Sequence, residues 1–446
     1  MVNVVFTIPS VLNQGNGEKK IPITSDKLTL LDAFTKISND LGPAFKNRVL
    51  NPDGSPKSLI NVYINGKNAQ FSNGMNTILN DGDEVYMLPA VSGGDNLSEN
   101  ELTRYSRQIM LENIGYEGQL KIKNSSVCVI GVGGLGNPIA SRLAAMGVGK
   151  IRIVDRDVIE LSNLHRQTMF NDCDIGKIKV ETAKNKLQNI NPTMTIEALS
   201  VSINDYNALD VIHDCDIVID ALDSVNARYS INKACVRSNI PFVTGAAVGT
   251  SGQCFTVIPN KTACYYCVFP SLDENSMPTC SIEGVHPSIL SVVAGIEVSE
   301  AIKIILDKKP NLLNKILHID LDTLNFTHIN TFKVSECPVC GTGKTSDKVI
   351  KEKLMIEELC GRNGKRTFSI TPTNSNLHLD LNKIAKLSTT NVYKIENQSN
   401  FGISIRSADF YINIMQRGSA IITGTKTEDD AISLYERFVS KIMVNN

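Results

Sequence analysis

VCVIGVGGLGNPIASRLAAMGVGKIRIVDRDVIELSNLHRQ, residues Val127 to Gln167, is the stretch on which the fold turns. A β-branched run, Val127 to Ile130, leads into Gly131, Gly133 and Gly136, and a helix-compatible segment follows. That is the order of a strand, a phosphate turn and a helix N-terminus. Glycines let the backbone approach a phosphate closely, and the unpaired N–H groups and positive end of the helix dipole then face the anion. A second strand, Lys150 to Val154, ends at Asp155, placed to accept hydrogen bonds from ribose hydroxyls. These features predict a Rossmann-like α/β domain, and on their own they suit NAD, FAD or ATP.

SNLHRQ at Ser162 to Gln167 separates these possibilities when it is read with TRYSRQ at Thr103 to Gln108, GKIKV at Gly176 to Val180 and DALDS at Asp220 to Ser224. In this order the motifs resemble the ubiquitin-activating enzyme family, and within it the prokaryotic ThiF, MoeB and HesA adenylating enzymes, from about Leu97 to Gly341. The resemblance implies that ATP is the nucleotide, held by Gly131, Gly133, Gly134, Gly136, Asp155 and Asn163. It implies phosphate-holding roles for Arg166 and Lys179 and a Mg2+-associated role for Asp223. Arg107 matches an arginine that reaches into the site of the opposite subunit, so a homodimer is expected. The chemistry needs such cations, because a carboxylate attacking the α-phosphate of ATP is an anion meeting an anion. Ser224 departs from the asparagine common in the family, and His165 occupies a variable position and is given no catalytic role.

Upstream, VNVVFTI and the amphipathic LTLLDAFTKISNDLG are followed by the strand candidates LINVYING and DGDEVYMLPAVSGG, with turns at Asn65-Gly66 and Asp81-Gly82. Residues 1 to 94 resemble the ubiquitin-like sulfur carriers of the MoaD and ThiS kind, a β-grasp fold with a diglycine tail, here Gly93-Gly94. Carrier tails end in a free carboxylate, whereas Gly94 is followed by Asp95. Activation of this domain therefore requires a processing protease, and the alternative reading of Gly93-Gly94 is a flexible linker.

CYYC at Cys264 to Cys267 and CPVC at Cys337 to Cys340 offer four thiolates, the donor set of a structural Zn2+ site. Cys280, in MPTCSIEGVHP, matches the cysteine that some family members use to form a covalent link to the activated carrier; the other reading is a loop cysteine with no catalytic duty. Cys128, Cys215 and Cys254 lie on apolar strand patterns and are expected in the core.

The third segment, residues 345 to 446, predicts a small α+β domain. FYINIMQ and SAIITG flank Arg417-Gly418 as a hairpin. Thr427 caps a final helix with Asp430, and Ala431, Leu434, Phe438 and Ile442 form its apolar face. GTGKT at Gly341 lacks the first glycine of a phosphate loop, and LCGRNGKR around Cys360 has the wrong spacing for a rhodanese loop, so the sulfur donor is expected to be another protein.

The chain has 446 residues, eleven cysteines and a net charge of −1. Its length suggests about three domains, read as 1–94, 95–344 and 345–446. The charge argues against a nucleic-acid-coating surface. The apolar stretch Ser288 to Ile305 carries Glu297, Glu300 and Lys303, which predicts a buried helix and no membrane span. With no signal peptide in view, the cysteines fit a reducing cytoplasm.

The expected activity is ATP-dependent adenylylation of the C-terminal glycine of a ubiquitin-like sulfur carrier, either the N-terminal domain after cleavage or a separate protein. The activated carrier would serve molybdopterin, thiazole or tRNA thiolation, or protein conjugation. Two other readings stay open at this level: a non-catalytic scaffold or autoinhibited module, and an NAD-dependent oxidoreductase, which would leave Arg107, Arg166, Lys179 and the cysteine pairs without purpose.

Overall fold

The computed structural model describes the chain apart from residues 10–11, 13–17, 53–54, 58–59, 90–96, 273–282, 344–353, 363–364, 374–376, 389–392 and 444–446. Its contacts divide it into two compact units, Met1–Asn124 and Ser125–Asn446.

In the first unit, β1 (Val2–Ile8), β2 (Lys19–Ser25), β3 (Ile60–Ile64), β4 (Lys67–Asn68) and β5 (Glu84–Pro89) form a sheet in the order β2-β1-β5-β3-β4. The first and last of these strands in sequence, β1 and β5, run parallel at its centre, as in a β-grasp fold. Helix Leu30–Asp40 starts at a reciprocal Thr29/Asp32 cap and packs Leu30, Phe34 and Ile37 with Phe6, Val62 and Met87. Strand side chains alternate in direction, so Tyr63, Tyr86 and Leu88 belong to the opposite face. There they meet Leu102, Tyr105, Ile109 and Tyr116 from helices Glu99–Ile109 and Gly115–Asn124. This second apolar layer is why the unit runs to Asn124, beyond the ubiquitin-like segment itself.

The second unit is built on β6 (Ser126–Ile130), β7 (Lys150–Val154), β8 (Thr195–Leu199), β9 (Ile217–Asp220), β10 (Phe242–Val248), β11 (Ser251–Val257), β12 (Lys315–Asp320) and β13 (Asn325–Asn330). Their order is β8-β7-β6-β9-β10-β11-β12-β13. The five strands from β8 to β10 are parallel and the remaining pairs antiparallel. β6 is paired with β7 on one side and β9 on the other, so the strand order reverses at β6. A ligand crevice opens at such a switch point, beyond the carboxyl ends of the strands. Helix Pro287–Ile305 buries Ile289, Val293, Ala294, Val298 and Ala301, as expected of a core helix. Among the described residues no helix is long and apolar enough to cross a membrane.

The same unit carries a second sheet, ordered β14-β15-β19-β18-β17-β16, from β14 (Leu354–Arg362), β15 (Lys365–Pro372), β16 (Lys394–Gln398), β17 (Gly402–Arg406), β18 (Tyr411–Met415) and β19 (Ala420–Thr423). β18 and β19 are the expected hairpin, turning at Gly418. Thr427 and Asp430 cap helix Glu428–Met443 reciprocally. Ala431, Leu434 and Phe438 from that helix fill the core with Phe368, Ile405 and Ile414.

Candidate functional site

The glycine turn follows β6 and is held by close backbone packing. Gly131 has φ +94°, and a Cβ on it would stand 2.5 Å from the Ala221 carbonyl oxygen; one on Gly136 would stand 1.8 Å from the Gly131 oxygen. Neither position accepts a side chain. Helix Gly136–Met146 begins directly after the turn, so the positive end of its dipole faces the crevice.

Asp155 follows β7 and organises the neighbouring backbone. Its Oδ2 accepts from Val132 N–H at 2.7 Å and its Oδ1 from Asp157 N–H at 2.8 Å. Burial pushes its carboxyl above the usual range, opposed by Lys179 and reinforced by Asp157. Lys179, the first residue of helix Lys179–Ile190, places Nζ 2.9 Å from Asp157 Oδ2 with only 6% of its side chain exposed. Asp155, Asp157 and Lys179 thus form one charged cluster beside the glycine turn. Arg166 donates from Nη1 to the Ser162 carbonyl at 2.8 Å, and its Cδ lies 3.5 Å from where a Gly134 Cβ would stand. Its guanidinium stem therefore borders the turn.

Asn163 is committed to its own loop: its Oδ1 accepts from Glu160 N–H at 3.1 Å, closing a capping box over a 3-10 turn. Asp223 is exposed just past β9. Its loop is fixed from below by groups that motif matching passed over. Asp220 accepts from Leu222 N–H at 3.0 Å and from Thr244 Oγ1 at 2.6 Å. Arg228 donates to the Leu222 and Gly245 carbonyls, the latter at 2.7 Å. Ser224 serves as the N-cap of helix Val225–Ser238, accepting from Ala227 N–H. Asn137, also missed, donates to the Val132 carbonyl at 2.9 Å and accepts from Met169 N–H at 2.9 Å, tying the glycine turn to the loop after SNLHRQ. The signal that could have found it is a polar residue one position inside a helix that opens on a glycine turn.

Arg107 belongs to the first unit, where it donates from Nη1 to the Asn65 carbonyl at 2.7 Å. Cys280 lies outside the described residues, as do Gly93 and Gly94.

The two cysteine pairs, far apart in sequence, come together. Sγ of Cys264 lies 3.7 Å from Cys337 and 3.8 Å from Cys267, and Cys267 lies 3.3 Å from Cys340; all four sulfurs fall within 4.8 Å of one another. Tetrahedral Zn–S bonds of about 2.3 Å set the sulfurs roughly 3.8 Å apart, so the residues fit that ion. Backbone N–H groups of Val334 and Val339 reach Cys267 and Cys337 at 3.4 Å each, supporting thiolate character. Cys128, Cys215 and Cys254 are in the core as expected.

A family model described as the ThiF family matches residues 105–339, and one described as the ThiS family matches residues 16–94. The adenylyltransferase and sulfurtransferase MOCS3 of Culex quinquefasciatus is 33% identical over 360 residues, covering 76% of this chain and 79% of that protein. The SAMP-activating enzyme E1 of Haloferax volcanii is 37% identical over 248 residues, 55% of this chain and 92% of its own. The sulfur carrier protein adenylyltransferase of Thermus thermophilus is 35% identical over 270 residues, 59% of this chain and 98% of its own. With the glycine turn, the charged cluster and the four-cysteine site in one Rossmann-like unit, and the family model spanning more than half its length, the chain belongs to the ThiF family.

Proposed function

We propose that the chain adenylates the C-terminal glycine of a ubiquitin-like sulfur carrier, using ATP and releasing pyrophosphate. It is a nucleotidyltransferase of the ThiF family, fused to a ThiS-type domain. The observation that carries this reading is the placement of Asp155, Asp157 and Lys179 beside a glycine turn at the switch point of the sheet.

Asp155 orients the ribose, while the turn and the N-terminus of helix Gly136–Met146 receive the phosphates. The carrier carboxylate attacks the α-phosphorus, an acyl–phosphate bond forms, and the bond to the bridging oxygen breaks, so pyrophosphate leaves with the electron pair. Lys179 and Arg166 offset the charge that accumulates on the phosphate oxygens. Asp223 is the residue that would hold Mg2+, a hard ion preferring carboxylate oxygen. Zn2+ at Cys264, Cys267, Cys337 and Cys340 would be structural, with no open coordination position. Arg107 would complete the site across a homodimer. Carrier-dependent ATP–pyrophosphate exchange tests the reading: Arg166→Ala and Lys179→Ala should each reduce it about 100-fold or more, and near-normal exchange in both refutes it.

A second reading, a fused regulatory module, is favoured by one observation. The sheet face bearing Tyr63, Tyr86 and Leu88 is covered by helices Glu99–Ile109 and Gly115–Asn124, and Arg107 is hydrogen-bonded to the Asn65 turn. The intact chain should then adenylate a separately supplied carrier without modifying its own N-terminal domain. An adenylate mass on Gly94 after separation of residues 1–94 would instead make that domain a substrate.

A further inference from the structure

Arg156 stands between the two aspartates of the nucleotide site in sequence, yet its hydrogen bonds run to other acceptors. Nη1 donates to Glu357 Oε2 at 2.8 Å and to Ser369 Oγ at 3.2 Å, both in the C-terminal sheet, and to Ser202 Oγ at 2.8 Å. Glu357 and Ser369 are direct partners across β14 and β15, so one rung of that hairpin supplies both acceptors. Resting on the adenylyl-transfer reading, we propose that Arg156 and Glu357 are a positioning pair through which the C-terminal domain fixes the nucleotide site.

The acidic groups around Arg156 give this pair its consequence. Asp157 and Asp223 lie close enough to act electrostatically on Arg156 alongside Glu357. Without Glu357, the guanidinium has two acidic alternatives: Asp157, the partner of Lys179, and Asp223. Turning to either would change the charge presented to a triphosphate. Glu357 keeps Arg156 out of the site and leaves Asp157 to Lys179.

The same domain grips the loop at its far end. Asn397 Nδ2 donates to the Gly176 carbonyl at 3.1 Å, from a point where the β16–β17 register shifts between Ile395 and Asn397; such irregularities re-aim a side chain. Gly402 is packed against Ile178, with Ile178 Cδ1 only 2.8 Å from where a Cβ would stand. Ile178 is the N-cap of the helix that opens with Lys179. The C-terminal domain therefore holds the segment at Arg156 and again just before Lys179, and Arg166 lies between the two grips.

The experiment uses the full-length chain. ATP binding is measured by titration calorimetry, and KM for ATP and for a free diglycine carrier by pyrophosphate exchange, in Glu357→Gln and Asn397→Ala with Lys179→Ala as control. Misplacement of catalytic groups by about an ångström can cost 100-fold, so Glu357→Gln should weaken ATP binding and raise KM for ATP about tenfold while KM for the carrier is unchanged. Asn397→Ala should move the same parameters in the same direction by a smaller factor. A purely structural pair would lower the melting temperature or the active fraction and leave KM for ATP alone; that result overturns the proposal. If Glu357→Gln fails to fold, Asn397→Ala decides, with unchanged ATP affinity overturning the proposal. Near-normal pyrophosphate exchange by Lys179→Ala would instead remove the nucleotide-site assignment, and the positioning pair with it.

Discussion

Replacing Lys179 by methionine separates its chemical role from its structural one. The ion pair with Asp157 is 2.9 Å long, with 6% of the lysine side chain and 25% of the aspartate side chain exposed. A charge-assisted hydrogen bond is worth about 1.5–3 kcal/mol; a quarter-exposed partner that water can reach lowers the folding cost toward the bottom of that range. In a chain of this size that is about 2–3 °C in Tm, small against a total stability on the order of 5–15 kcal/mol. The variant stays folded at 25 °C. Loss of a transition-state cation costs roughly 100- to 1000-fold in rate, about 2.7–4 kcal/mol, so the two effects are readily told apart. Asp157→Asn supplies the comparison, because it breaks the same pair while keeping the cation. Carrier-dependent pyrophosphate exchange and thermal melts on both variants should give similar Tm losses, with exchange lost at least 100-fold in Lys179→Met and far less in Asp157→Asn. Equal exchange losses would show that Lys179 acts only by holding Asp157, and the reasoning would fail.

Arg166→Ala should also lose exchange by about 100-fold with little change in melting, since its guanidinium contacts the Ser162 carbonyl and the His165 ring, both on its own exposed loop. Metal analysis should find one zinc per chain, and Cys337→Ser should lose it and melt at a lower temperature; full retention of metal refutes the four-thiolate site. Glu297, fully buried with neither carboxylate oxygen partnered among the described residues, has its carboxyl pushed well above the usual range by burial, with Asp220 adding to the shift and Arg228 opposing it. Because its folded pKa is raised, its contribution is complete below the ordinary carboxylate range and is lost as pH rises toward the folded value. Glu297→Gln should therefore raise Tm more at pH 8 than at pH 5, and a pH-independent difference would contradict a neutral Glu297. Cys280→Ser should spare adenylate formation and impair the later transfer step, and full sulfur transfer by that variant would demote the cysteine.

The parts of the fold that follow from local pattern were legible in the sequence: the Val127–Ile130 strand and its glycine turn, the buried helix near Ser288–Ile305, the Arg417-Gly418 hairpin and the Thr427 cap. The four-cysteine cluster was legible from its two CxxC pairs, although only folding brings Cys264 and Cys267 beside Cys337 and Cys340. Arg156 was not legible, because its partner Glu357 lies 201 positions away and an arginine after Asp155 reads as a surface charge. Nor was the second apolar face of the N-terminal sheet. Tyr63, Tyr86 and Leu88 look like ordinary alternation until helices Glu99–Ile109 and Gly115–Asn124 are found over them. Arg228 and Asn137 escaped for a related reason: their shortest hydrogen bonds are to backbone carbonyls and N–H groups, which have no side-chain signature.

The cations of the candidate site share one property that bears on how it works. Each is engaged within the protein, Lys179 with Asp157 and Arg166 with a carbonyl oxygen, and beside them Arg156 is paired with Glu357. Unscreened, these charges would repel one another in a partly buried crevice and would have to be reorganised when ATP arrived. Pairing fixes their positions beforehand, which is the condition under which fixed charges contribute most to a transition state. The pairs differ in what a nucleotide could exchange. The carbonyl oxygen holding Arg166 is neutral, so a phosphate oxygen is the stronger acceptor and can displace it. Glu357 is a full carboxylate sharing Arg156 with two hydroxyls, and a phosphate gains little by competing there. The same polar logic that frees Arg166 for chemistry keeps Arg156 in place as structure, and Lys179, paired with an acid yet set at a helix N-terminus beside Asp155, lies between these extremes. That gradation predicts the order of sensitivity to ATP: Arg166 should shift most on binding, Lys179 less and Arg156 least.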